Sequence, residues 1–189
     1  MAHSPLTGVL LVGGASRRFG SPKATALFGG ETLAARGWRL LGEVCDERIA
    51  VGKAADGLAL PFAVLDDGTS VRAPLAGLVA GLRAAAHDVC LFLPVDCPLM
   101  TPDALRALAD ACKDAAVSPS GPLPGAYRKS ALPVLERRLA EGRLTLRDAL
   151  AELDTTTVEL DSAVLANANT VAELARMGGE RPETSLPFV

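Results

Sequence analysis

The stretch Gly13-Gly14-Ala15-Ser16-Arg17-Arg18-Phe19-Gly20-Ser21-Pro22-Lys23 gathers the residue types that bind a phosphorylated ligand. Adjacent glycines let backbone amides approach an anion closely and turn toward it. Two guanidinium forks and an ammonium supply the charge that a triphosphate needs neutralised before a nucleophile can reach it. A solvated glycine turn is the plain alternative, but three cations placed directly after an apolar run favour phosphate. Two familiar nucleotide loops are excluded. A Walker A loop needs Gly-Lys-Ser/Thr in succession, whereas Lys23 stands three residues past Gly20 and Ala24 follows it. The dinucleotide fingerprint Gly-x-Gly-x-x-Gly is not made by Gly13, Gly14 and Gly20.

A second concentration is Leu93-Pro94-Val95-Asp96-Cys97-Pro98-Leu99. A carboxylate leaving an apolar strand can hold magnesium between phosphate oxygens, since this metal favours one or two carboxylates plus substrate oxygens. The ordinary use of such an Asp is to accept backbone hydrogen bonds in the turn before Pro98. Asp66-Asp67 end another apolar run, Phe62–Leu65, and one of them could touch a ribose, a base or the metal; a turn with Gly68 is the other reading. Arg72-Ala73-Pro74-Leu75-Ala76-Gly77 reads as a helix start with free amides. Cys97 has no histidine near it in sequence and reads as a small buried hydrophobe. His87 reads as a helix-end cation, Trp38 as core, and Asn167-Ala168-Asn169-Thr170 as a helix cap whose Asn pair could also orient a substrate.

The elements that must position these groups alternate along the chain. Gly8–Val12, Arg48–Val51, Phe62–Leu65, Val89–Val95, Ala115–Ser118, Ala126–Arg128 and Thr157–Leu160 read as strands. Helical spacing covers Glu31–Val44, Pro74–Ala86, Thr101–Lys113, Ala131–Leu139, Thr145–Leu153 and Val171–Met177, with Gly121–Gly125 a turn-rich loop. Strands alternating with helices predict an α/β fold: three αβα layers around a mostly parallel sheet. Ligands in such sheets bind beyond the carboxyl ends of the strands, which is where both motifs fall.

Composition sets the outer bounds. The 189 residues, 49% hydrophobic and 22% charged, predict one globular domain over 1–189, with a loose lead-in at 1–7 and a loose tail at 179–189. Lys and Arg number 19 against 22 Asp and Glu, so the formal charge of −3 argues against a dedicated nucleic-acid binder. Cysteines at 45, 90, 97 and 112 form no Cys-x-x-Cys pair, which argues against structural zinc and for free thiols in a reducing cytoplasm. No run reaches the roughly 20 apolar residues of a membrane span, and none resembles a signal peptide.

Taken together, Leu11–Lys23, Val64–Asp67, Ala73–Gly77, Leu93–Leu99 and Ala166–Thr170 resemble the molybdenum cofactor guanylyltransferases, within the Rossmann-like nucleotidyltransferases. The resemblance spans about Gly8 to Leu174. It implies nucleotide contacts at Leu11, Val12, Gly13 and Gly14, a loop lysine at Lys23, an aspartate near the guanosine at Asp67 and the magnesium ligand at Asp96. Arg17 and Arg18 are the candidates for phosphate contacts, and Arg18 with Lys23 and Asp96 forms the catalytic set. Two positions depart from the family: Gly52 stands where an Asn is frequent, and Ala73 where a glycine is usual. Leu123–Arg128 lies where the second substrate is received.

The reaction so implied is magnesium-dependent transfer of GMP from GTP to the terminal phosphate of a molybdopterin-type cofactor, with release of pyrophosphate. Molybdoenzymes or other cofactor-synthesis proteins would receive the product, and neither nucleic acid nor membrane takes part. The competing readings are a cytidylyltransferase or sugar-phosphate nucleotidyltransferase of the same fold, and a nucleotide-binding module without turnover.

Overall fold

Leu6–Leu11 (β1) is buried at every residue, so it belongs in the interior of a sheet covered on both faces. The computed structural model describes residues 4–13 and 22–178. After β1 come a small hairpin, Leu27–Phe28 (β2) with Glu31–Thr32 (β3), then the helix Leu33–Gly42 (α1) and the strand Glu47–Gly52 (β4). Val64–Asp66 (β5), Pro74–Ala84 (α2), Val89–Pro94 (β6) and Pro102–Asp110 (α3) follow. The remainder is Ala115–Ser118 (β7), Gly121–Arg128 (β8), Leu132–Ala140 (α4), Leu146–Leu150 (α5), Thr155–Thr157 (β9) and Val171–Arg176 (α6).

Seven strands make one sheet in the order β5-β4-β1-β6-β8-β7-β9. The pairings of β1 with β4 and β6, of β4 with β5 and of β7 with β9 are parallel. Only β8, between β6 and β7, runs against its neighbours. The predicted mostly parallel α/β sheet is therefore present. One core fills the space between the sheet and α1, α3 and α6, around Leu10, Leu33, Leu41, Leu93 and Leu105. A second lies under α2, α4 and α5, around Val9, Leu78, Phe92, Tyr127 and Leu135. Burying each such side chain contributes about 1.5–3 kcal/mol before chain entropy is counted.

Local chemistry sets the helix starts. The Thr101 hydroxyl accepts from the Ala104 N–H at 3.3 Å, with Pro102 in the first turn. Thr170 and Glu173 form a reciprocal capping box on α6. Thr32 caps α1, so the helix expected from Glu31 starts at Leu33 and its first two residues pair with β2 instead. The short hairpin carries too few residues to show a strand period.

Other boundaries also move. The lead-in expected over 1–7 does not include Leu6 and Thr7, which already belong to β1, with Leu6 N–H donating to Asp46 Oδ2 at 2.9 Å; residues 1–3 and the expected tail at 179–189 lie outside the described residues. The strand expected at Ala126–Arg128 starts at Gly121, so the presumed loop is its first half. A register shift at Val117/Ser118 accommodates that glycine- and proline-rich stretch. The strand near Thr157 ends there rather than at Leu160. Trp38 is half-buried and stacks on Phe62 at 4.2 Å, with the Arg48 guanidinium 4.7 Å from its ring, so it covers the core edge.

Candidate active site

The chain leaves β1 and β6, neighbours in the sheet, toward opposite sides: β1 leads to β4 and β6 leads to β7 and β8. Beyond the carboxyl ends of two such strands the flanking loops part and leave a crevice. The ladder extends one residue past each strand. Val12 N–H donates to Val51 O at 3.0 Å and Val95 N–H to Leu11 O at 3.2 Å. Gly13 and Asp96 are thus delivered from a fixed frame. A cleft of about 440 Å³ opens there, with Gly13, Lys23, Asp67, Pro74, Asp96 and Asn167 on its walls. That size suits a small ligand.

At one end Lys23, opening the short 3₁₀ turn Lys23–Thr25, places Nζ 3.0 Å from Asp96 Oδ2. The same ammonium donates to Asn169 Oδ1 at 3.1 Å. The side chains are 17% and 24% exposed, so the pair is open to the cleft yet shielded from bulk water. The segment before α6 is tied to this point: Ala168 N–H donates to Asp96 O at 2.9 Å, and Cys97 Sγ–H to Asn167 Oδ1 at 3.0 Å. Burial and the Asp96 carboxylate push the Cys97 thiol well above its ordinary range, so it stays a protonated donor and not a nucleophile. Among the described residues no three Asp, Glu, His or Cys side chains cluster as a metal cage. One carboxylate fits a hard cation whose remaining ligands are substrate oxygens and water.

At the other end Lys53 Nζ lies 2.5 Å from Asp67 Oδ1 and 2.5 Å from Thr69 O. This pair is more deeply set, at 11% and 7% exposure. Asp67 is the member of the acidic doublet that faces the cleft; Asp66 lies inside β5, where its carboxylate accepts from Ala54 N–H and Gly68 N–H and closes the turn. Between the two pairs the wall is apolar, with Leu11, Val51 and Gly77. A Cβ on Gly77 would lie 2.9 Å from Leu11 Cδ2, so the glycine lets α2 sit close against β1. A Cβ on Gly52 would meet Val12 Cγ2 at 2.9 Å and Val64 Cγ1 at 3.2 Å. An Asn there, as the family resemblance leads one to expect, has no room in this backbone.

Leu11, Val12, Gly13, Lys23, Asp67 and Asp96 therefore line one cleft, as does Leu123 from the expected second-substrate segment. Gly14, Arg17 and Arg18 lie outside the described residues. Sequence reasoning missed Lys53 and the side chain of Arg72, both on the cleft wall. For Lys53 the available signal was its place just after an apolar strand.

The family model described as MobA-like NTP transferase domain matches residues 8–157. The chain belongs to that family. A relative from Deinococcus radiodurans named "Probable molybdenum cofactor guanylyltransferase" is 33% identical, over 95% of this chain and 97% of its own. The MobA-like fold is shared with the solved molybdopterin-guanine dinucleotide biosynthesis protein A of Archaeoglobus fulgidus, at TM-score 0.78 and 23% identity, over 91% of this chain and 96% of that one. It is also shared, at a lower TM-score of 0.69 and 17% identity, with a 2-C-methyl-D-erythritol 4-phosphate cytidylyltransferase from Thermus thermophilus, over 90% and 96% of the two chains. The MobA-like chain is thus a nucleotidyltransferase in fold and family, and the α/β Rossmann-like expectation holds. Among the described residues no helix is long and apolar enough to cross a membrane.

Proposed function

We propose that this chain transfers GMP from GTP to the terminal phosphate of a molybdopterin-type cofactor. One observation carries the reading: a cleft at the β1/β6 divide with Lys23 and Asp96 3.0 Å apart at one end and a carboxylate, Asp67, at the other. Pairing guanylyl transfer with that cleft follows the names borne by its relatives.

In the proposed reaction an oxygen of the acceptor phosphate bonds to the α-phosphorus of GTP. The bond from that phosphorus to the bridging oxygen breaks, and its electron pair leaves with pyrophosphate. A phosphate monoester is largely ionised at neutral pH, so no general base is required. The work of the protein is positioning and charge neutralisation. The Gly13 and Gly14 backbone would seat the nucleotide, with Leu11 and Val12 beside it. Lys23 would neutralise charge building on the transferred and leaving phosphates, and Arg17 or Arg18 would add a phosphate contact. Asp96 would hold magnesium, which when bound supplies further neutralisation of the phosphate oxygens. Lys23 and Asp96 hold each other at the correct end of the cleft until substrate arrives. A cytoplasmic setting and hand-over of the product to molybdoenzymes or their assembly proteins belong to the same reading.

The test is to supply each nucleoside triphosphate with molybdopterin and magnesium and to follow pyrophosphate release. Release with GTP well above that with CTP, ATP or UTP is expected. Preference for CTP would replace the guanylyl assignment by a cytidylyl one, and no release with any triphosphate would leave a binding module.

A further inference from the structure

We infer that Lys53 is a positioning residue for base selection, fixing the Asp67 carboxylate so that one oxygen is held and the other is presented to the nucleotide base. The inference rests on the guanylyl-transfer reading above and adds to it a residue outside the motifs that identify the family.

The geometry divides the two carboxylate oxygens. Oδ1 of Asp67 accepts from Lys53 Nζ at 2.5 Å and from Thr69 N–H at 3.1 Å. The Asp67 backbone is fixed as well, its N–H donating to Gly52 O at 3.1 Å. Lys53 is itself anchored, since its ammonium also donates to Thr69 O. Among the described residues Oδ2 accepts no hydrogen bond, the Arg72 guanidinium acting on the carboxylate through its charge alone, and Oδ2 is not a sealed, unsatisfied atom. With Asp67 on the cleft wall, that oxygen is the acceptor left for a ligand. A carboxylate oxygen matches the two adjacent donors on the Watson–Crick edge of guanine, the ring N–H and the exocyclic amine. Adenine lacks the ring N–H, and cytosine has a ring acceptor there.

Placement along the sheet supports the base end. Asp67 follows β5 and Asp96 follows β6, and β4 and β1 lie between them. Three interstrand spacings make about 14 Å, a span suited to a nucleotide with its phosphates at Lys23 and Asp96 and its base at Asp67. Gly52 has no side chain to brace Asp67 and no room for one. Lys53, one residue along, reaches the same carboxylate from the end of β4.

The experiment compares GTP with ITP, which lacks the exocyclic amine, in the full chain with magnesium and molybdopterin. The wild type should prefer GTP. Lys53→Met should raise KM for GTP roughly tenfold, keep kcat within about threefold, and narrow the GTP/ITP ratio of kcat/KM about tenfold. Lys53→Arg should restore most of the ratio. If Lys53 acts through Asp67, Lys53→Met combined with Asp67→Asn should be no worse than Asp67→Asn alone. That double variant leaves no unpaired carboxylate in the cleft and so guards against misfolding of the single one. A loss of kcat with unchanged KM, a GTP/ITP ratio unmoved in Lys53→Met, or additive losses in the double variant would each overturn the inference while the transferase reading stands. No turnover of GTP by the wild type would remove that reading and the inference with it.

Discussion

Lys23 Nζ and Asp96 Oδ2 stand 3.0 Å apart although 73 residues separate them in sequence. The contact joins the segment following β1 to the residue following β6, and it fixes the end of the cleft where charge is to be handled. Each side chain is oriented by the other, and Lys23 by Asn169 as well. The pair is part-buried but opens onto the water of the cleft, so its net contribution to stability is small, on the order of 1 kcal/mol, and its placement matters to chemistry more than to folding.

Replacing Asp96 by Asn keeps the shape and removes the charge. Turnover is expected to fall by about 10²- to 10³-fold, with the melting temperature within a few degrees of wild type by the weak-pair argument. Added magnesium should not restore it. Magnesium-dependent activity near the wild-type level would take the metal role from Asp96. Lys23→Met should lose turnover to a similar degree, and a large drop in melting temperature would mark it as a structural lysine instead.

Asn169→Ala removes one acceptor from the Lys23 ammonium and leaves the Thr170 cap on α6 intact. The expected result is a loss of kcat of about tenfold, the worth of one charge-assisted hydrogen bond. Steady-state kinetics with GTP check it. A wild-type kcat would show that Asn169 is not needed to orient the lysine.

The contact of α2 with the sheet depends on Gly81, where a Cβ would lie 2.8 Å from both Phe92 Cε1 and Val9 Cγ1. Gly81→Ala should destabilise the chain by about 1–3 kcal/mol through overpacking. The residue lies off the cleft wall, so KM for GTP at a temperature well below the melt should be unchanged. Urea denaturation and steady-state kinetics together test both halves, and a stable variant would mean that the helix can lift away freely.

Burial pushes the Cys90 thiol from its ordinary 9.0 up to about 12. As pH rises the unfolded chain ionises first. The thiol's contribution is therefore complete below pH 9 and is lost as pH climbs from 9 toward 12. At pH 10 the loss is on the order of 1 kcal/mol for this group. Urea melts at pH 8 and pH 10 should show a smaller fall in stability for Cys90→Ala than for wild type by that amount; equal falls would contradict the assignment.

Much of this arrangement can be read from the chain before it folds. The apolar runs around Val9 and Leu91 are buried on both sides of the sheet, and such strands carry a signal that survives any neighbour. Asp96 could be placed because its own strand delivers it. What could not be read depends on partners distant in sequence. Lys53 gains its importance from Asp67 and Thr69, and Asn169 from Lys23, 146 residues earlier. Gly121 to Gly125 looks like a loop because glycine and proline disfavour strands. Yet a Cβ on Gly125 would meet Pro122 O at 2.7 Å and Ala116 O at 3.2 Å, so the residue that disguises the strand is the one that lets β7 and β8 approach.

Ala168 and Asn169 close onto Asp96 and Lys23 from beyond the last strand of the sheet. A chain ending just after Thr157 would hold all seven strands of the described sheet and still lack both contacts over Asp96 and Lys23. The segment at 168–169 therefore braces the Lys23–Asp96 pair without holding the sheet together.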